Sequence, residues 1–266
     1  MTNTTDEQKM PLLEHLIEFR RRLLWSVLTL LVAFLASFAV AEHLFEFLAS
    51  PLAEVMRENA VTDRETRLIF TDLTEVFFTY VKVAFFFGAF VSCPIFLSQI
   101  WLFVAPGLYK NEKTAFAPFL IASPILFFIG GALVYYVIFP MAAEFFLGFQ
   151  VQGSDSTIAI ELEAKVNEYF SLMMKLIFAF GICFQLPVLM TLLAKVGIAS
   201  SKGMAEKRKY AIVGVFIVAA IFTPPDPLSQ LALAIPIVLL YEISILMAKM
   251  VEKKRAEEEK AESTNT

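Results

Sequence analysis

The chain has 266 residues, a formal net charge of −4, and a composition that is 58% hydrophobic and only 18% charged, with a mean hydropathy of +0.68. That profile excludes collagen, a disordered chain and a disulfide-stapled secreted scaffold, and the acidic balance argues against nucleic acid as the main partner. All 22 basic and 26 acidic side chains lie outside six charge-free runs of 19, 27, 29, 19, 16 and 15 residues, the segregation that a bilayer imposes because a helical span requires about 20 apolar residues.

The first element is an amphipathic helix. In PLLEHLIEFRRRLL, Leu12, Leu13, Leu16, Ile17, Leu23 and Leu24 fall on one stripe, Glu14, Glu18, Arg21 and Arg22 lie elsewhere, and Pro11 suits a first helical turn. It leads into the first run, Leu23 to Ala41, as an interfacial helix joined to a span. Ala39 and Ala41 form an A-x-A pattern, but the 19-residue run exceeds the apolar region of a signal peptide and begins too far from the N-terminus. The second span is expected to start near Asp72, where Asp72 and Glu75 have capping-box spacing, and to continue toward Phe103, longer than a bilayer is thick. The third, Ala115 to Ala143, carries Pro118, Pro124 and Pro140 around Gly130 and Gly131, a pattern for a kink and close helix packing. Leu176 to Ala194 is the fourth.

The last two runs, Tyr210 to Pro225 and Pro227 to Tyr241, are joined by the turn Thr223-Pro224-Pro225-Asp226-Pro227. Two structures fit them. Either both helices are short for the membrane, with local thinning of the bilayer, or residues 201–209 and 242–248 extend them with snorkelling lysines. The chain reads as a single membrane domain, residues 1–250, with residues 251–266 a charged, disordered cytoplasmic tail.

Lys and Arg counts orient the spans. The N-terminal segment, Lys110 to Thr114, Lys195 to Lys209 and the tail from Glu242 carry 4, 2, 5 and 5 basic residues, whereas Glu42 to Lys82 and Glu144 to Lys175 carry 4 and 2 beside 13 acidic ones. Positive charge is retained in the cytoplasm. The expected fold is therefore an all-α integral membrane protein of six transmembrane helices, both termini cytoplasmic.

Few chemistries fit the spans. They contain no His to serve as a base for a nucleophile, and carboxylates occur only at their edges, at Glu144, Asp226 and Glu242. An intramembrane protease is disfavoured, and an ion-coupled small-solute secondary transporter stands as a weaker alternative resting on the six spans and the kinked third helix. Cys93 and Cys183 lie inside apolar runs with only His15 and His43 elsewhere, so no metal site, cofactor site or disulfide framework is expected. Gln99, Gln185 and Gln230 suit hydrogen bonding across helices. Glu18 and Glu112 sit at the cytoplasmic edge. Spacing alone allows each a structural role, Glu18 as an i, i+4 partner of Arg22 and Glu112 as a solvated turn residue between Lys110 and Lys113.

Four motifs go further. PLLEHLIEFRRRLL, QIWLFVAPGLYKNEK, FAFGICFQLPV and FTPPDPLSQLALAIP, in that order, resemble TatC, the multispanning core of the twin-arginine protein translocase. The resemblance implies a non-enzymatic receptor in a bacterial inner membrane that binds twin-arginine signal peptides of folded cargo. It also implies assembly with TatA-type and TatB-type single-span partners, in several copies, for export driven by the proton-motive force. By the same resemblance, Glu18 and Glu112 are the signal-binding glutamates, with Arg20, Arg22, Phe103, Tyr109 and Lys110 in the same cytoplasmic patch. Pro51 and Pro94 match structural prolines, and Asp226 and Gln230 match a polar site near where partner helices dock. Many relatives carry glutamate where this chain has Gln185, and a neutral amide cannot itself carry a proton.

Overall fold

A computed structural model of the chain describes residues 6–58, 67–108, 113–151, 160, 162–223 and 226–264. Its regular structure is helical: α1 (Asp6–Ala39), α2 (Ala41–Glu58), α3 (Glu75–Leu108), α4 (Lys113–Leu133), a π-helical turn (Val134–Ile138), α5 (Phe139–Leu147), α6 (Val166–Cys183), α7 (Leu186–Val196), α8 (Ser201–Glu206), α9 (Arg208–Phe222) and α10 (Pro227–Thr264). Among the described residues the extended pairing is limited to isolated bridges, Ile69 with Lys165 and Val151 with Ile160.

Five stretches are long and apolar enough to cross a membrane: Leu16–Ala39, Glu75–Leu102, Pro118–Leu147, Val166–Val196 and Ser229–Lys254. The fifth charge-free run is the exception, because α9 has only 15 residues, about 22 Å of helix. Its neighbour behaves differently. α10 is continuous for 38 residues, so for the last run it is the extended-helix alternative that holds. Lys253 and Glu257 form an i, i+4 ion pair, and the Glu, Lys and Ala of the tail are strong helix formers. Residues 251–264, which their charge marks as a solvated tail, therefore continue the helix.

The chain gathers into two compact units, Met1–Leu44 with Val81–Pro124, and Phe45–Tyr80 with Ile125–Thr266. In the first, α1 is one helix from Asp6 rather than from Pro11, and its span window is only 6% buried. It meets α3 where Gly88 lies against the Phe34 backbone, so close that a Cβ on Gly88 would fall 2.8 Å from Phe34 Cα. Phe34 and Phe85 meet edge to face beside that contact. Trp101 Nε1 donates to Ser123 Oγ at 2.7 Å and is buried. α3, at 34 residues or about 51 Å, outruns a bilayer as its run length predicts.

The second unit holds the larger core, with Leu48, Phe127, Val134, Phe170, Met173, Phe180, Leu233 and Ile237 fully buried. The third run, in which the prolines predict a kink, contains a π-helical turn that ends at Ile138, two residues before Pro140. Pro140 offers no N–H to the preceding turn, and the widened turn, with Phe139 N–H donating to Val134 O, accommodates it. The predicted close approach at Gly130 is to α6, where a Cβ would fall 2.8 Å from Phe180 O. The fourth run breaks into α6 and α7 at Phe184 and Gln185, one turn ahead of the N–H that Pro187 lacks. α7 then stops at Gly197, whose φ of 82° is one that a side chain disfavours.

Local capping fixes the start of α3. Asp72 Oδ1 accepts from Thr74 N–H and Oγ1, both at 2.7 Å, and these donors hold the Asp72 carboxyl below its ordinary value. Glu75 reaches further than a capping box requires. Its carboxylate accepts from Thr71 N at 2.9 Å and from Asn167 N at 3.0 Å, stitching the entry of α3 to the first turn of α6.

Candidate functional site: a carboxylate and guanidinium where α1 enters its apolar run

Glu18 and Arg22 lie one turn apart on α1, where the basic cluster Arg20-Arg21-Arg22 precedes the apolar run. Arg22 Nε and Nη2 donate to Glu18 Oε1 at 3.1 and 2.5 Å, and Nη1 donates to Gln99 Oε1 on α3 at 3.1 Å. The i, i+4 pairing is as spacing predicts, but it is more than a surface pair, because the third bond fixes the plane of the guanidinium from a second helix. Gln99 thus makes the interhelical hydrogen bond expected of it. Arg20 is exposed on the same helix. Phe103 lies on α3, and Tyr109, Lys110 and Glu112 lie outside the described residues. Chemically, the arrangement presents a carboxylate already paired with a guanidinium where the apolar run of α1 begins. Among the described residues no cluster of three His, Cys, Asp or Glu side chains is placed to hold a metal ion.

The remaining predicted residues lie elsewhere. Pro51 is buried inside α2, an element absent from the sequence expectation. Proline supplies no N–H, so the Phe47 carbonyl one turn earlier loses its helical donor. Side chains replace it: Tyr135 OH donates to Phe47 O at 2.7 Å and Ser50 Oγ at 2.8 Å. The Tyr135 ring also stacks on Phe47 at 4.6 Å and 7°. On the next carbonyl, Tyr169 OH donates to Leu48 O at 2.6 Å in a buried setting. Tyr135 and Tyr169 carry no motif signal. Their importance depends on which backbone carbonyls of α2 they meet across the fold. Pro94 acts more simply within α3, where it withholds a donor from Phe90 O while its own carbonyl accepts from Ser98 Oγ at 2.6 Å.

Tyr169→Phe is expected to lower stability by about 1–3 kcal/mol, because a buried carbonyl loses its side-chain donor. Thermal melting in detergent measures it, with Tyr136→Phe as the control, since Tyr136 is 69% exposed.

Asp226 and Gln230 share the first turn of α10. Asp226 Oδ1 accepts from Ser229 N at 2.7 Å and caps the helix, with Pro227 in its first turn. Gln230 Nε2 donates to Phe216 O at 3.2 Å, tying α10 to α9. Asp226 Oδ2 and Ser229 Oγ are buried with no hydrogen-bond partner among the described residues. Gln185 occupies the break between α6 and α7, its N–H donating to Ile182 O at 2.9 Å.

The comparisons with known proteins agree with one another. Residues 14–236 match the family model described as Sec-independent protein translocase protein (TatC). The chain belongs to the TatC family. It is 50% identical to the TatC of Magnetococcus marinus over 260 residues, covering 98% of this chain and 92% of that one. It is 36% identical to the TatC of Escherichia coli strain K12 over 254 residues, covering 95% and 94%. A crystal structure described as the twin arginine translocase receptor TatC superposes with a TM-score of 0.75 at 36% identity, covering 89% of this chain and 99% of that one. TatC proteins are components of a protein translocase and not enzymes. This chain is accordingly a helical membrane protein of protein transport.

Proposed function

We propose that this TatC-family chain is the receptor and core subunit of a twin-arginine translocase, binding Arg-Arg signal peptides of folded cargo at Glu18 and Glu112. The observation that carries the reading is the Glu18 carboxylate gripped by a guanidinium just before the apolar run of α1. A group that receives Arg22 in this way has the chemistry to receive a guest arginine. Arginine's planar fork bonds a carboxylate through two donors at once, whereas lysine offers a hydrated point charge. The interfacial position also tolerates charge, which at mid-bilayer would cost about 2.5–3.5 kcal/mol or more.

In this reading Arg20, Arg22, Phe103, Tyr109 and Lys110 complete the cytoplasmic patch. α9 counts as a sixth, short span in a bacterial inner membrane, and both termini are cytoplasmic, a topology that the distribution of lysine and arginine supports. Asp226 and Gln230 then lie at the outer end of the last helix pair, beside the docking position of TatA-type and TatB-type helices. Gln185 serves as a hydrogen-bonding residue and not as a proton carrier. Export draws on the proton-motive force, with several copies per complex.

Binding of a fluorescent Arg-Arg signal peptide to the purified chain in detergent, compared with its Lys-Lys counterpart, tests the assignment. Tighter Arg-Arg binding, with the gap narrowed by Glu112→Ala, is the expected result; equal binding of the two peptides removes the receptor reading.

A further inference from the structure

The rim where α7, α8 and α10 meet engages its acidic side chains internally. Glu252 of α10 accepts from Ser201 N at 2.7 Å and from Ser201 Oγ at 2.5 Å, Glu242 pairs with Arg208 at 2.8 Å, and Tyr241 OH donates to Met204 O at 2.9 Å. Met204 is buried with Ala194, Ile245 and Ala248, so α8 is fastened to α10 along its length. The basic side chains are left over. Residues 195–209 carry five Lys or Arg and a single acid, the exposed Glu206. Lys202, Lys207 and Lys209 are exposed, and among the described residues none of the three has an ion pair. Tyr210 follows directly, 68% exposed, with Lys209 Nζ 5.1 Å from the centre of its ring.

We propose that Lys202, Lys207 and Lys209 bind the phosphate of an anionic phospholipid head group, with Tyr210 seated in the head-group layer beside them. An exposed lysine cluster attracts any anion, and its place in the fold selects this one. The three lysines immediately precede the charge-free run that starts at Tyr210, so they lie at the boundary between hydrocarbon and head groups, where phospholipid is the abundant anion. Tyrosine favours that same layer, apolar ring inward and hydroxyl in water. The short helix strengthens the case. α9 has 15 residues, about 22 Å against a hydrocarbon core of about 30 Å, and a bilayer that thins to match it brings its phosphates toward the end of the helix. Lysine suits the task, because its ammonium binds phosphate as a point charge at the tip of a stem that can follow apolar surface. With Glu242 and Glu252 held by Arg208 and Ser201, the carboxylate of Glu206 alone among the acids of this rim is left to compete. Only the assignment of this leaflet to the cytoplasmic side rests on the orientation proposed above. The lipid site itself rests on the helices and is independent of signal-peptide binding.

The test titrates phosphatidylglycerol and, separately, phosphatidylcholine into the full-length chain in a non-ionic detergent and counts bound lipid by native mass spectrometry. The wild type is expected to retain phosphatidylglycerol in preference to phosphatidylcholine. The triple variant Lys202→Gln, Lys207→Gln, Lys209→Gln is expected to bind phosphatidylglycerol about 10-fold or more weakly with phosphatidylcholine unchanged, and the matching triple change to arginine to keep the affinity. Each single glutamine variant is expected to lose about 5-fold, which decides the matter should the triple variant fail to fold. The control removes the same charge elsewhere, by Arg57→Gln, Arg67→Gln and Lys165→Gln, all exposed, and is expected to bind like the wild type. An excess of inorganic phosphate is not expected to displace the lipid, whose acyl chains hold the head group at the rim. Equal retention of the two lipids by the wild type overturns the proposal, as does unchanged phosphatidylglycerol binding in the rim variants or an equal loss in the control. Displacement by inorganic phosphate overturns it too, because the rim would then be a site for a soluble anion. Signal-peptide binding measured on the same proteins is expected to stay at the wild-type level, so the receptor reading stands or falls separately.

Discussion

A Gly130→Val protein is expected to lose most of its folded population in detergent. The reason is a collision with backbone. A Cβ on Gly130 would sit 2.8 Å from Phe180 O, 3.0 Å from Phe180 C and 3.0 Å from Phe184 Cδ2. No rotamer change relieves contact with a carbonyl, so α4 and α6 must separate. Phe127, Phe180 and Met173, all fully buried, pack in the same core. Inserting atoms into a close-packed interior costs about 1–3 kcal/mol and occasionally more. A branched side chain against backbone belongs at or beyond the upper end. Gly181 reports on the same face from the other helix, where a Cβ would fall 2.5 Å from Phe127 Cε2. The control is Gly214→Ala on α9, where a Cβ meets nothing within 4 Å and the helix gains by losing a flexible residue. Thermal melting of the two variants measures the difference: Gly130→Val is expected far below wild type and Gly214→Ala at or above it.

Glu18→Lys is expected to abolish signal-peptide crosslinking while leaving the fold intact. The substitution removes the acceptor of two charge-assisted hydrogen bonds and places a fourth cation beside Arg20, Arg21 and Arg22. An arriving arginine then meets repulsion where the proposed site offers attraction. Hydrogen bonds to charged groups contribute about 1.5–3 kcal/mol, so even the neutral Glu18→Gln is expected to weaken Arg-Arg peptide binding by about 10- to 100-fold. The charge reversal exceeds that. Because Glu18 is half-buried and outside the buried core, the melting temperature is expected to change little. Crosslinking that survives in Glu18→Lys and in Glu112→Lys would remove the carboxylates from the site.

Much of the architecture is legible in the amino-acid order because a bilayer enforces it. Five of the six charge-free runs fall in stretches long and apolar enough to cross a membrane, and the long second span follows directly from its run length. α2 was hidden by its charge. Glu42, Glu46, Glu54, Arg57 and Glu58 make the segment look like a loop, yet Leu44, Leu48, Leu52 and Val55 recur at helical spacing, and the last three are buried. The last run misleads in the opposite sense. Its apolar stretch is short, but neither Glu242 nor the lysines beyond it interrupt a helix, and Arg208 reaches Glu242 to form an ion pair at 2.8 Å. Glu252 accepts from Ser201 N and Oγ at 2.7 and 2.5 Å, tying the continued α10 to α8.

Sequence alone determined that this is a helical membrane protein, where its apolar helices run, and, through four motifs, its family. Those features are local: hydropathy, run length and short words are properties of neighbouring residues, and the low dielectric of the bilayer makes them decisive. Tertiary structure alone decided that Tyr169 donates to the Leu48 carbonyl beside Pro51, that Gly130 admits the Phe180 carbonyl, and that Arg22 holds Glu18 with Gln99 behind it. Each of those depends on side chains meeting across helices far apart in the chain. Apolar surface alone does not choose between packings in lipid, so close backbone approach and interhelical hydrogen bonds select the one that forms.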